Sequence, residues 1–199
     1  MRSALFVFAV VWAGGAAFAG DEHRQLGAHE HGHGTFNMAI EGKQVMIELE
    51  APGADLVGFE HQAKTDADKA AIEEVRAVLE KPLNLFIFPK SAACSVDHTT
   101  ASIIGESERH GEHQGAEMQA GSEPESHANE EPEQARHNEF HAQYRLTCDE
   151  PAAIKVLTFG YFDAFPGADE LEVNVISETG QTSYEVERSK RQISLEGVM

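Results

Sequence analysis

Thr35-Phe36-Asn37-Met38-Ala39-Ile40-Glu41-Gly42-Lys43-Gln44-Val45-Met46-Ile47-Glu48-Leu49-Glu50 alternates in hydropathy on both sides of a glycine-containing turn. Phe36, Met38 and Ile40 fall on one face, and after Glu41-Gly42-Lys43 so do Val45, Ile47 and Leu49. A period of two describes a strand with one buried face, and two such runs around a short turn describe a β-hairpin. The fold therefore starts as β-structure, and Pro52-Gly53 closes the hairpin.

Downstream, Leu56, Val57 and Phe59 precede His61, and then a helix has a clear start. Thr65 is its N-cap, Asp66 and Asp68 lie in the first turn, and Ile72, Val75, Val78 and Leu79 recur at helical spacing until Pro82. Leu83 to Pro89 reads as a buried strand and Cys94 to Ile104 as another. Beyond the middle of the chain, Phe140 to Cys148 and Lys155 to Phe159 are strand-like, with a short turn or helix reaching Phe165. Leu171 to Ile176, Ser183 to Glu187 and Gln192 to Leu195 then read as a β-meander. The expected class is mainly β with minor α: an antiparallel sheet or sandwich-like domain with one clear helix.

Between these halves the composition changes. Glu106 to His137 contains no Val, Ile, Leu or aromatic residue and is dominated by Glu, Gln, Ala, Gly, Ser and Pro. Such a segment cannot bury a core of its own. Residues 106–138 therefore read as a flexible, disordered insert rich in His and Glu, dividing a β-rich domain into an N-terminal part, 20–105, and a C-terminal part, 139–199. Its histidines, His110, His113, His127 and His137, lie among glutamates, and His141 follows closely in strand sequence. Imidazole and carboxylate together form a metal-ligand set.

Immediately upstream of the hairpin stands His29-Glu30-His31-Gly32-His33. Imidazole is the commonest protein metal ligand, and three of them at alternate positions point to zinc first. The same stretch satisfies H-E-x-x-H, but that zinc-peptidase motif needs a helix to bring its two histidines onto one face. Gly27, Gly32 and Gly34 and the strand that follows argue against a helix. Extended backbone would instead project His29, His31 and His33 to one side, and His61 would sit at the end of the Leu56–Phe59 run as a further ligand.

Residues 1–19 read as a signal peptide: Met1-Arg2, an apolar run from Ala4 to Ala17, and the small-x-small site Ala17-Phe18-Ala19. The apolar run falls short of the roughly 20 residues that span a bilayer. The expected location is the periplasm, with no membrane insertion after cleavage. A formal net charge of -19 argues against nucleic acid as a partner and suits a protein that gathers cations. In an oxidising compartment, Cys94 and Cys148, each within strand-like sequence, read as a disulfide. The alternative makes them thiolate ligands, without CxxC spacing to support it.

Taken in order, His31-Gly32 running into the hairpin, Leu56-Val57-Gly58-Phe59-Glu60-His61 before a helix, Cys94, a His-bearing acidic insert, and His137-x-x-Phe140-x-x-x-Tyr144-x-x-x-Cys148 resemble the ZrgA-type zinc-regulated periplasmic proteins. The resemblance runs from about His29 to Leu195. It implies zinc binding in support of zinc uptake, with His29, His31, His61, His137 and the insert histidines in metal sites and Cys94 disulfide-bonded to Cys148. The insert here is less dense in histidine than that family leads one to expect.

The expected function is zinc capture and homeostasis without catalysis. Zn2+ is the expected metal, and a zinc transporter or its solute-binding protein the expected partner. Proton and metal compete for the same nitrogen, so binding should weaken as pH falls through about 6.5, the ordinary histidine value. A copper or nickel chaperone or resistance protein is the main alternative, because the ligands permit it. A metallohydrolase using Glu30 as base is a further one.

Overall fold

In the computed structural model, residues 32–104 and 138–199 are described. Along the chain these form β1 (His33–Glu41), β2 (Gln44–Pro52), α1 (Gly53–Leu56), α2 (Asp66–Leu79), α3 (Pro82–Leu85), β3 (Phe86–Ile87), β4 (Cys94–Ile104), β5 (Glu139–Cys148), β6 (Val156–Phe159), α4 (Tyr161–Ala164), β7 (Glu170–Ile176), β8 (Gln181–Glu187) and β9 (Gln192–Ser194). The expected signal peptide and residues 106–137 of the expected insert lie outside the described residues. Among the described residues no helix is long and apolar enough to cross a membrane.

The opening hairpin forms as its alternation requires. Thr35 pairs with Glu50 and Glu41 with Gln44, and Gly42 takes φ 53° in the turn, a value that favours glycine. Phe36, Met38, Val45, Ile47 and Leu49 are buried on one face. The hairpin becomes the centre of a six-stranded sheet of order β4-β5-β2-β1-β7-β8. A second sheet, β3-β6-β9, covers its apolar face. Phe86 links the two layers: its ring centroid lies 4.6 Å from that of Phe36, 6.0 Å from Phe159 and 6.1 Å from Tyr144. Burial of large aromatic rings is the main force holding such layers together.

Mainly β architecture with one long helix is what the sequence predicts, and three details differ. The β1–β7 pair is parallel, in register from His33↔Glu170 to Ala39↔Ile176. Side-chain alternation is the same in parallel and antiparallel strands, so it carried no sign of this. The C-terminal meander is split, because β9 leaves the large sheet and pairs with β6. Arg188 donates to the carbonyls of Phe162, Phe165, Pro166 and Ala168 and so turns the chain after β8 towards α4. Finally, Leu83 to Pro89 is not one strand. Pro82 starts the one-turn helix α3, its fixed φ suiting a first helical position, and only Phe86–Ile87 pairs as strand.

Helix α2 begins where its capping signal stands. The Asp68 N–H donates to Thr65 Oγ1 at 3.1 Å while Asp68 Oδ2 accepts from the Thr65 N–H at 3.0 Å. Ile72, Val75 and Leu79 are buried, whereas Val78 is 37% exposed at the edge of the apolar stripe. The Thr65 N–H holds the Asp68 carboxyl below its ordinary value, with further help from the Thr65 hydroxyl, the Lys64 N–H and His61. A lowered carboxyl value stabilises the fold above the pH at which a free aspartate titrates, and that contribution is lost as pH falls through the lowered value. Thr65→Ala should cost about 1 kcal/mol, read as a lower denaturant midpoint at unchanged slope.

Cys94 and Cys148 are disulfide-bonded at directly paired positions of β4 and β5. Both sulfurs are consumed, which removes the thiolate-ligand alternative.

Candidate metal centre

Alternation along β5 buries Phe140, Ala142, Tyr144 and Leu146 and turns Glu139, His141, Gln143 and Arg145 to the open face of the large sheet. On β2 the same parity turns Glu48 and Glu50 to that face. The β2–β5 register sets Glu50 directly opposite His141. Glu139, two residues earlier on β5, completes a group of two carboxylates and one imidazole. Their potential ligand atoms all lie within 4.8 Å of one another.

The contacts within this group are close. His141 Nδ1 is 3.7 Å from Glu50 Oε1, and Nε2 is 3.0 Å from Glu139 Oε2. Nε2 is buried and makes no hydrogen bond of acceptable geometry despite that proximity. Donors bound to one tetrahedral zinc at about 2.1 Å lie roughly 3.4 Å apart; because the two carboxylates face different nitrogens of the His141 ring, sharing one ion requires the side chains to turn towards a single ring nitrogen. Glu139 and His141 are largely shielded, with 14% and 26% of their side-chain surface exposed, while Glu50 at 45% faces solvent. Two carboxylate oxygens and one imidazole nitrogen suit Zn2+ and related divalent ions. The set contains no soft sulfur ligand for cuprous ion.

Topology brings the points where both histidine-bearing segments attach to this end of the sheet. β1 begins where β2 ends, β4 ends opposite the start of β5, and Ile104 pairs with Glu139. The chain enters the insert after Ile104 and leaves it at Asn138, so both attachment points adjoin Glu139. Asn138 is 1% exposed and tightly stitched: its N–H donates to the Glu60 carbonyl, its carbonyl accepts from Gly53 N at 2.7 Å, and its side-chain amide donates to the His61 carbonyl at 2.6 Å. A Cβ on Gly53 would lie 2.6 Å from the Phe59 carbonyl oxygen, which explains a glycine here. The leader arrives at the same end. Gly32 donates to the buried Asp55 Oδ1 at 2.7 Å, and its carbonyl accepts from Asp169 and Glu170.

Of the expected metal-site residues, only His33, His61 and His141 are described. His29, His31, His110, His113, His127 and His137 lie outside the described residues. His33 is on the open face of β1, with Nδ1 3.4 Å from Glu170 Oε1. It sits two strands from His141, about 10 Å away at ordinary strand spacing. His61 stacks on Phe59 with centroids 4.5 Å apart, and its Nε2 is 3.5 Å from Asp68 Oδ2. Only His141 of the described candidates belongs to the three-residue group. Sequence reasoning missed Glu50 and Glu139. Glu139 lies two residues from His141 and so shares its face on a strand, but nothing local signals Glu50.

An open trough of about 580 Å3 on the same sheet face, lined by residues including Asn37, Met46, Glu48, Asn174 and Ile176, offers one carboxylate and no imidazole. It does not supply a competing metal site.

Comparison with known protein families matches residues 28–195 to a family model described as "ZrgA family zinc uptake protein". The chain belongs to the ZrgA family. The match spans both sheets, the Glu50–Glu139–His141 group and both attachment points of the insert. A comparison with curated proteins found no match.

Proposed function

We propose that this ZrgA-family chain is a periplasmic zinc-capture protein that supports zinc uptake through reversible coordination. The observation that carries the reading is the Glu50–Glu139–His141 group, placed at the sheet end where the leader and the insert both attach. Zinc is cargo here. A fixed site of few ligands holds the ion, while histidines of the leader and the insert, attached beside it, raise its local concentration. Excess negative charge favours the approach of cations. On this reading the protein is a carrier with no reaction of its own, and a transporter or its solute-binding protein takes the ion onward.

Equilibrium dialysis at controlled free Zn2+ tests the reading. The wild-type chain is compared with His29→Ala/His31→Ala/His33→Ala, with a deletion of 106–136 that leaves Asn138 in place, and with Glu50→Gln/His141→Ala. Capacity should fall in each, with the high-affinity phase lost in the last. Zinc retention unchanged in all three variants would overturn histidine-centred capture.

A further inference from the structure

We infer that Asn138 is a positioning residue of the metal centre. It closes the end of the β2–β5 ladder and ties it to the Glu60–His61 turn, so that Glu50, Glu139 and His141 stand in place before an ion arrives. The inference rests on the zinc-capture reading and adds a residue that sets the affinity of the site without touching the ion.

Three observations argue for it. First, the ligands occupy the last rungs of the ladder, Glu50 opposite His141 and Glu139 opposite Pro52. Element ends open more readily than their middles, so ligands placed there need a tie beyond the last rung. Asn138 supplies it, because its carbonyl accepts from the Gly53 N–H at 2.7 Å. Glycine permits that approach: a Cβ on residue 53 would lie 2.8 Å from the same carbonyl oxygen.

Second, the tie is itself held. Asn138 shares the parity of buried Phe140, and its side chain is 1% exposed, which leaves the open face to Glu139 and His141. Its side-chain amide donates to the His61 carbonyl at 2.6 Å and its N–H to the Glu60 carbonyl at 3.0 Å. Bonds to two consecutive carbonyls fix the residue against one turn, and the Gly53 bond passes that fixity to β2.

Third, the residue type is costly at this place. Tyrosines aside, the buried polar side chains among the described residues are Asp55 and Asn138. Burying an amide costs free energy that an apolar side chain would not. Asp55 accepts from Gly32 just before β1, and Asn138 stands just before β5, so both buried polar groups fix strand starts at the end of the sheet that carries the metal centre.

Chelator competition on the full-length chain tests this, with the fixed-site phase defined as the one lost in Glu50→Gln/His141→Ala. Asn138→Ala should lower the Zn2+ affinity of that phase about tenfold, the low end of the loss seen when support behind metal ligands is removed. Val186→Ala truncates a buried side chain in β8 and serves as the stability control; it should leave the affinity at the wild-type value. An affinity unchanged by Asn138→Ala, or lowered equally by Val186→Ala, overturns the inference. Hydrogen exchange on the wild-type chain keeps the test open if Asn138→Ala does not fold. By linkage, added Zn2+ should slow exchange of the Gly53 and Asn138 amide protons more than that of Cys148, whose N–H bonds the Lys43 carbonyl at the far end of β5. Exchange that zinc leaves unchanged at Gly53 and Asn138, or slows equally at Cys148, overturns it. A wild-type chain with no phase dependent on Glu50 and His141 would instead reject zinc capture at this group, and the inference with it.

Discussion

His141→Ala is expected to lower the affinity of the fixed site for Zn2+ by about two orders of magnitude. Structural zinc sites bind with roughly 10–16 kcal/mol shared over four ligands, so one ligand accounts for about 3 kcal/mol, near a hundredfold in affinity. The loss should be specific. His141 lies on the open face with 26% of its side chain exposed, and its removal leaves no hole in the core beneath β5. Thermal stability without metal should therefore stay close to wild type, while the stabilisation conferred by added zinc shrinks. Competition with a chromophoric chelator reads the affinity. Glu139→Gln keeps the side chain's shape and removes its charge, and should weaken binding in the same direction. A His141→Ala chain that binds zinc as tightly as wild type would remove this residue from the site.

The second large effect concerns the disulfide. Cys94 and Cys148 are separated by 54 residues, and that loop contains the whole insert. Closing a loop of this length reduces unfolded-state entropy by an amount worth about 4 kcal/mol on the chain-entropy model. Against a typical stability of 5–15 kcal/mol, that is a large fraction. Cys94→Ala/Cys148→Ala should lower the denaturant midpoint accordingly. The effect reaches the metal centre through β5, which carries both a paired cysteine and His141. Adding the reductant dithiothreitol to the wild-type chain should reproduce the loss, and adding it to the double variant should do nothing. Equal stability with and without the bond would show that β4–β5 pairing and the core alone hold this edge of the sheet.

Legibility in the sequence followed the range of the interaction. The hairpin around Gly42, the capped start of α2 at Thr65 and the strands Cys94–Ile104 and Glu139–Cys148 all express local rules of alternation, capping and turn chemistry. The parallel β1–β7 pair and the departure of β9 to the second sheet depend on contacts far apart in sequence. In the second case one side chain, Arg188, redirects the chain by binding four carbonyls. No window around Gln192 contains that information.

The metal centre divides in the same way. Histidine enrichment is compositional and visible at once, so His141 was a candidate from the sequence. Glu50 is an ordinary outward-facing glutamate of an amphipathic strand until the register sets it opposite His141. Glu139 is signalled by its i, i+2 spacing from His141, which puts both on one face of a strand. His61 shows the converse. Its sequence context suggests a ligand at a strand end, and the fold sets its exposed side chain against Phe59 and the capping residue Asp68, away from the three-residue group.

Anomalous X-ray scattering at the zinc edge, from crystals of the full-length chain grown with one to two equivalents of Zn2+, tests the central claim most directly. The account predicts a peak on the open face of the large sheet, about 2.0–2.2 Å from a carboxylate oxygen of Glu50, one of Glu139 and a ring nitrogen of His141. Zinc bound elsewhere in the molecule, with no peak among these three side chains, would contradict it.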